Sequence, residues 1–153
     1  TILVVDDNKL NIKVATRLLE EYGITVDSCM SGAECLEKVK IIKYDLIKIG
    51  VRSNLLGFDY LCTAIKYSIL FPDVNLCSGI YVMTSKEHNV PYHSVERDIR
   101  FAINDLYFSR GFEEFSKFLN LPINLNNTKM TNGRFINYAK NYYLKNYMLK
   151  TQQ

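Results

Sequence analysis

His93-Ser94-Val95-Glu96-Arg97-Asp98-Ile99-Arg100-Phe101-Ala102-Ile103-Asn104, running on to Ser109-Arg110-Gly111, is the stretch that decides how this chain folds. On a helical wheel Val95, Ile99, Ala102, Ile103 and Leu106 fall on one side, the spacing of an amphipathic helix packed on its core. His93, Arg97, Arg100 and Asn104 gather on the opposite side, with Glu96 at its margin. A merely solvated helix surface carries charge of this kind too. The residue types are nevertheless those that read base edges: Arg for guanine, Asn for adenine and Glu for the cytosine amino group.

Immediately upstream, Asn75 is placed to cap a helix that carries Leu76, Ile80 and Met83 to His88. Asn89-Val90-Pro91 then makes a short turn, with Pro91 in the first turn of the helix that follows. Two short helices around a tight turn, the second basic on its free face, form a helix-turn-helix pattern. Further back, Leu61, Ala64, Ile65, Ser68 and Ile69 give a helix after Gly57, ended by Phe71-Pro72-Asp73. Beyond Gly111, Phe112 to Leu119 predicts another helix, Leu121 to Met130 an Asn-rich loop with Pro122, and Thr131-Asn132 the cap of a last helix rich in tyrosine and lysine.

The first fifty residues follow another pattern. Ile2-Leu3-Val4-Val5 is a continuous apolar run, the signature of a buried parallel strand, closed by Asp6-Asp7-Asn8. Asn8 can cap a helix whose inner face is spaced by Ile12, Ala15, Leu18 and Leu19 and which stops at Gly23. Ile24 to Cys29 reads as a second strand, Ala33 to Lys40 as a second helix and Tyr44 to Ile49 as the start of a third strand. The expected fold is therefore α+β overall, with a truncated β-α-β-α-β fragment over residues 1–48 and an all-α helix-turn-helix domain over residues 49–153.

Composition limits the function. The chain has 153 residues, 48% of them hydrophobic, enough for a sizeable core. No apolar run approaches the roughly 20 residues of a membrane helix, and Thr1 to Asp7 lack the basic region of a signal peptide, so a cytoplasmic protein without a membrane partner is expected. The four cysteines Cys29, Cys35, Cys62 and Cys77 form no CxxC pair, and the only histidines are His88 and His93, so buried free thiols are expected rather than a metal cluster or disulfides. Residues 1–50 hold 7 Lys/Arg against 8 Asp/Glu, whereas residues 51–153 hold 12 against 8. Positive charge thus accompanies the basic helix, as a polyanion binder requires. Both histidines lie in the helix-turn-helix region and no Gly-rich phosphate loop or nucleophile-base arrangement occurs, so an enzyme is not expected.

Ile2-Leu3-Val4-Val5-Asp6-Asp7-Asn8, the helix to Glu20-Glu21-Tyr22-Gly23, Ser31-Gly32-Ala33-Glu34 and Tyr44-Asp45-Leu46-Ile47 resemble the opening of a two-component receiver domain of the hybrid histidine kinase type. That resemblance implies that Asp6 and Asp7 help hold a divalent cation, Mg2+ or Ca2+, since hard cations need several oxygen ligands. A weak site is the most that two carboxylates would make, and two solvated carboxylates at a strand end are the alternative; no cofactor is required. Matching Tyr44-Asp45-Leu46-Ile47 to the receiver's third strand puts Gly50 where the phosphoacceptor Asp belongs, and phosphorylation of this chain is not expected.

The second part resembles the DNA-binding effector domain of the stage zero sporulation protein A family, over about residues 49–145. The residues that carry it are Ile49-Gly50-Val51, Gly57-Phe58-Asp59-Tyr60-Leu61 with Ala64-Ile65, Ser94-Val95-Glu96-Arg97-Asp98-Ile99-Arg100-Phe101-Ala102-Ile103, Ser109-Arg110-Gly111 and Thr131-Asn132 with Phe135-Ile136. The family's domain has six helices, the fourth of which enters the major groove of a promoter element, usually as a tandem dimer. The resemblance implies recognition by Glu96, Arg97 and Arg100; His93, Ser94, Phe101 and Asn104 on the same helix are further candidate DNA contacts, and Lys86 and Lys129, as cations, are candidate phosphate contacts. Ser94 and Phe101 depart from the family, which usually has Arg and often His there. The implied partners are double-stranded DNA, a second copy on it, and RNA polymerase. A sequence-specific transcription regulator uncoupled from phosphorylation is the leading expectation; a module sequestering phosphorelay partners and a non-functional fusion product are the alternatives.

Overall fold

A computed structural model describes residues 2–32, 34, 40–110, 112–121 and 129–148. They form two compact units, residues 1–41 with 143–153 and residues 42–142.

In the first unit β1 (Ile2–Val5) pairs in parallel with β2 (Val26–Cys29), Ile2 opposite Val26 and Val5 opposite Cys29. Between them runs α1 (Lys9–Glu21), capped by the Asn8 side chain, which accepts from the Leu10 amide at 2.9 Å. It ends at Gly23, whose φ of 72° lets the Gly23 and Ile24 amides bond back to the Glu20 and Leu19 carbonyls. Ile12, Ala15 and Leu19 are half-buried, whereas Leu18, expected on the same inner face, is exposed. The helix expected over Ala33–Lys40 lies mostly outside the described residues.

The third strand expected over Tyr44–Ile49 is not a strand. These residues belong to α2 (Ile41–Ile49), in which Ile42, Asp45, Leu46 and Ile49 are buried while Lys43, Tyr44, Ile47 and Lys48 face water. Taken with Ile41 and Ile42, the apolar spacing is helical, and the apparent alternation after Tyr44 is one face of that helix. The truncated fragment is thus β-α-β up to Met30, and Gly50 does not stand in an acceptor position. With φ at 108°, it is the left-handed residue that ends α2, the Val51 amide bonding to the Leu46 carbonyl at 2.9 Å.

The second unit continues with α3 (Leu56–Leu70), a π-helical turn (Leu76–Ile80) running into α4 (Tyr81–His88), then α5 (Tyr92–Arg110), α6 (Glu113–Leu119) and α7 (Asn132–Tyr143). Counting α2, the described residues hold six helices here. The core gathers Leu61, Ile65, Ile80, Tyr81, Val95, Ile99, Ile103, Phe115 and Phe135, all at most 2% exposed. Phe115 and Phe135 stack with ring centroids 4.2 Å apart, locking α6 to α7.

Two helix ends repeat one device. In Ser85-Lys86-Glu87-His88-Asn89-Val90 and Ser116-Lys117-Phe118-Leu119-Asn120-Leu121, the Asn adopts φ of 52° and the next amide bonds back to the Ser carbonyl at 3.1 Å. The Ser hydroxyl donates to the carbonyl of that same following residue, at 2.6 and 3.2 Å. Left-handed Asn is tolerated because its short amide is compatible with that conformation.

Candidate nucleic-acid interface

Local chemistry builds the two-helix motif. Asn75 Oδ1 accepts from the Cys77 and Ser78 amides at 2.9 and 3.1 Å and so starts the first arm. Left-handed Asn89 stops it, and the Pro91 carbonyl accepts from the Ser94 and Val95 amides to open α5. The cap at Asn75 and the turn at Asn89-Val90-Pro91 lie where the sequence puts them.

Four contacts help fix α5. Gly57 of α3 lies against its backbone: a Cβ there would sit 1.9 Å from the Asp98 carbonyl oxygen, so only glycine permits this crossing. Asn132, at the start of α7, donates its side-chain amide to the Glu96 backbone carbonyl at 3.0 Å. Arg52 grips Asp105 with two hydrogen bonds of 2.8 and 2.5 Å, and this pairing raises the Arg52 pKa. Tyr81, edge-on to Tyr92 at 5.7 Å, is buried, and burial pushes its hydroxyl up to about 12.

With the inner stripe sealed, the outer face is left to polar groups. His93, Arg97, Arg100 and Asn104 are exposed, Ser94 and Glu96 half-buried, and Phe101 is 58% exposed. Arg97 bonds to neighbouring Asp98 at 2.9 and 3.3 Å, which raises its pKa, and Arg100 pairs with Glu96 one turn before it. Such exposed pairs are worth little in water, so either guanidinium can turn to a stronger acceptor at small cost.

An open cleft of about 480 Å³ brings Glu96, Arg100 and Asn104 together with Lys129, beside Thr131 and Asn132 at the start of α7. His93, Arg97 and Phe101 are on α5 but outside that cleft, and Lys86 stands exposed on α4. Sequence reasoning missed Asn132 as the strut beneath Glu96, and also Arg134. The latter donates to the Lys129 carbonyl at 3.4 Å, while its amide is capped by Thr131 Oγ1 at 3.2 Å. Thr131-Asn132 was legible as a cap, but not as a neighbour of a segment 36 residues away.

Asp6 and Asp7 lie in the other unit, after β1. Asp6 accepts from the Asn8 amide at 2.7 Å and from the Asn11 side chain at 3.3 and 3.2 Å, and Asp7 is exposed. Among the described residues no three His, Cys, Asp or Glu side chains are grouped to hold a metal ion, and no helix is long and apolar enough to cross a membrane.

The comparisons with known proteins divide as the chain does. In its N-terminal part the chain is 47% identical over 38 residues to hybrid signal transduction histidine kinase L of Dictyostelium discoideum, which is 25% of this chain and 2% of the relative. It is 38% identical over 50 residues to histidine kinase 5 of Arabidopsis thaliana, 33% of this chain and 5% of the relative. With the aerobic respiration control sensor protein ArcB of Escherichia coli (strain K12) it shares 37% over 59 residues, 38% of this chain and 8% of the relative. The chain thus spans less than a tenth of each of these kinases. Residues 42–142, coinciding with the second compact unit, match the family described as sporulation initiation factor Spo0A C terminal. The chain therefore belongs to the Spo0A C-terminal family, the DNA-binding effector domains of sporulation response regulators.

Proposed function

We propose that this chain is a sequence-specific transcription regulator that lays α5 in the major groove of a promoter element, binds double-stranded DNA as a dimer, and works beside RNA polymerase without phosphorylation control. The observation that carries the reading is the division of α5: Val95, Ile99, Ala102, Ile103 and Leu106 are sealed inside, while Arg97, Arg100 and Asn104 stand exposed outside in a chain of this family. Arg97 and Arg100 contact guanine, Glu96 cytosine and Asn104 adenine. Lys86, Lys129 and His93 bind phosphate, and Ser94 and Phe101 adjoin the base edges.

Arg97→Ala tests it. Removing a bidentate guanine contact costs about 1–3 kcal/mol against the preferred site and flattens preference among sequences, whereas Lys129→Ala weakens all sequences alike and lowers the salt slope by about 1. A gel-shift titration at fixed salt that finds specific binding intact in Arg97→Ala refutes the assignment. The absence of phosphorylation control is supported by the use of Tyr44–Ile49 in α2, which denies a receiver its third strand from that segment. Promoter occupancy that responds to an upstream phosphodonor would refute it. At Asp6 and Asp7 we infer no more than a weak Mg2+ or Ca2+ site, because two carboxylates supply a minority of the oxygens either ion takes.

One observation favours a second reading, an interaction module for phosphorelay proteins. Leu10, Val14, Leu18 and Tyr22 make an exposed apolar stripe along α1. In the full chain, Val14→Glu with Leu18→Glu would abolish capture of a phosphotransfer protein; equal capture by both proteins rejects that reading.

A further inference from the structure

On the outer face of α5, between Arg97 and Asn104, Phe101 has no hydrogen-bonding chemistry, yet it is 58% exposed. It is not a core residue pushed outward, because the inner stripe from Val95 to Leu106 is complete without it at 0–1% exposure. Leaving an aromatic ring in water forgoes one of the larger apolar gains a side chain offers. The other exposed rings of the helix, Tyr107 and Phe108, lie at its C-terminal end, edge to face at 5.4 Å, beyond the base-reading span.

Major-groove edges present donors and acceptors at every base pair and one kind of apolar group, the C5-methyl of thymine, which Phe is among the side chains to meet. We propose that Phe101 reads a 5-methylpyrimidine, thymine in unmodified DNA, beside the guanine contacted by Arg97. The proposal rests on the placement of α5 in the major groove argued above. Phe101 follows Arg97 by four residues, about 6 Å along the helix. At 3.4 Å per base step, the thymine lies within about two base pairs of that guanine. Methylated cytosine offers the same methyl at the same edge, so thymine and 5-methylcytosine are two sources of one contact.

The test uses the full chain and a random-sequence DNA duplex library. Wild type, Phe101→Ala and Phe101→Leu are each taken through selection, and the enriched site is then synthesised with deoxyuridine for each thymine, and with 5-methylcytosine or cytosine at the position so identified. Loss of one buried methyl corresponds to a change of about 3- to 5-fold in affinity. Wild type and Phe101→Leu are expected to lose that factor when thymine becomes deoxyuridine at one position, and to prefer 5-methylcytosine to cytosine there. Phe101→Ala is expected to bind both members of each pair alike. An unchanged deoxyuridine penalty in Phe101→Ala, or a wild type indifferent to deoxyuridine throughout its site, overturns the role of Phe101 and leaves the proposed function standing. Unchanged base preference with lost cooperativity between copies also overturns it, reassigning the ring to a protein contact. Failure of wild type to enrich any sequence removes the proposed function and this inference with it.

Discussion

α1 and α5 are both amphipathic helices, and they meet opposite fates. On α5 the apolar stripe is at most 1% exposed, but no residue of α1 is buried, and a second stripe, Leu10, Val14, Leu18 and Tyr22, faces outward at 52–82% exposure. Among the described residues the inner face of α1 meets a two-stranded sheet, whereas α5 lies within a helical unit and packs on α3 and α4. Helical periodicity therefore establishes that a helix forms. How deeply its stripe is buried depends on how many layers surround it.

Thiol chemistry separates the two regions most widely. Cys77 is exposed, while Cys29 in the first unit and Cys62 in the second are buried. Under alkylation at mildly alkaline pH, read by peptide mass spectrometry, Cys77 is expected to react first and Cys62 last. Cys62 needs a global opening and is slower by a factor on the order of 10³ or more. Cys29 falls between them, since the first unit has less to hold it closed; protection of Cys29 equal to that of Cys62 would abolish the distinction. Burial also pushes the Cys62 thiol up from 9.0 to about 12. The folded state holds its proton more tightly, so the stability this provides is full below pH 9 and declines as pH rises from there toward 12.

A pair of truncations sharpens the same contrast at intermediate size. Ile99→Ala should cost about 2–5 kcal/mol because it opens a cavity beneath α5, and Leu18→Ala should stay within about 0.5 kcal/mol because its side chain already meets water. Denaturant unfolding by circular dichroism measures both, and equal losses would break the comparison. Gly57→Ala comes next, at about 1–3 kcal/mol, since a methyl group there must displace the Asp98 carbonyl. Its melting temperature should fall without any residue of the outer face of α5 having changed.

Much of the second unit was legible because its signals are local. The spacing of Val95, Ile99, Ala102, Ile103 and Leu106, the cap at Asn75 and the turn ending in Pro91 each act within a few residues. The segment Tyr44-Asp45-Leu46-Ile47 was misread because four residues satisfy strand and helix alike, and its resemblance to a receiver strand hid the helical spacing that Ile41 and Ile42 complete. Gly50 likewise seemed an acceptor position vacated by substitution, when its backbone requires φ of 108° to end a helix. Neither the nearness of Lys129 to Glu96, Arg100 and Asn104 nor the strut at Asn132 could be read from the sequence, because nothing in a capping sequence tells which distant carbonyl its side chain will meet.

That strut carries a consequence for base preference. Asn132 holds α5 by the backbone carbonyl at position 96, a group every amino acid possesses, and Gly57 rests on the backbone of Asp98 in the same way. That hydrogen bond is therefore indifferent to which side chain position 96 displays. On the proposed function, a substitution of the Glu96 side chain would change base preference while this backbone contact, and the pose of α5 that it fixes, stays in place.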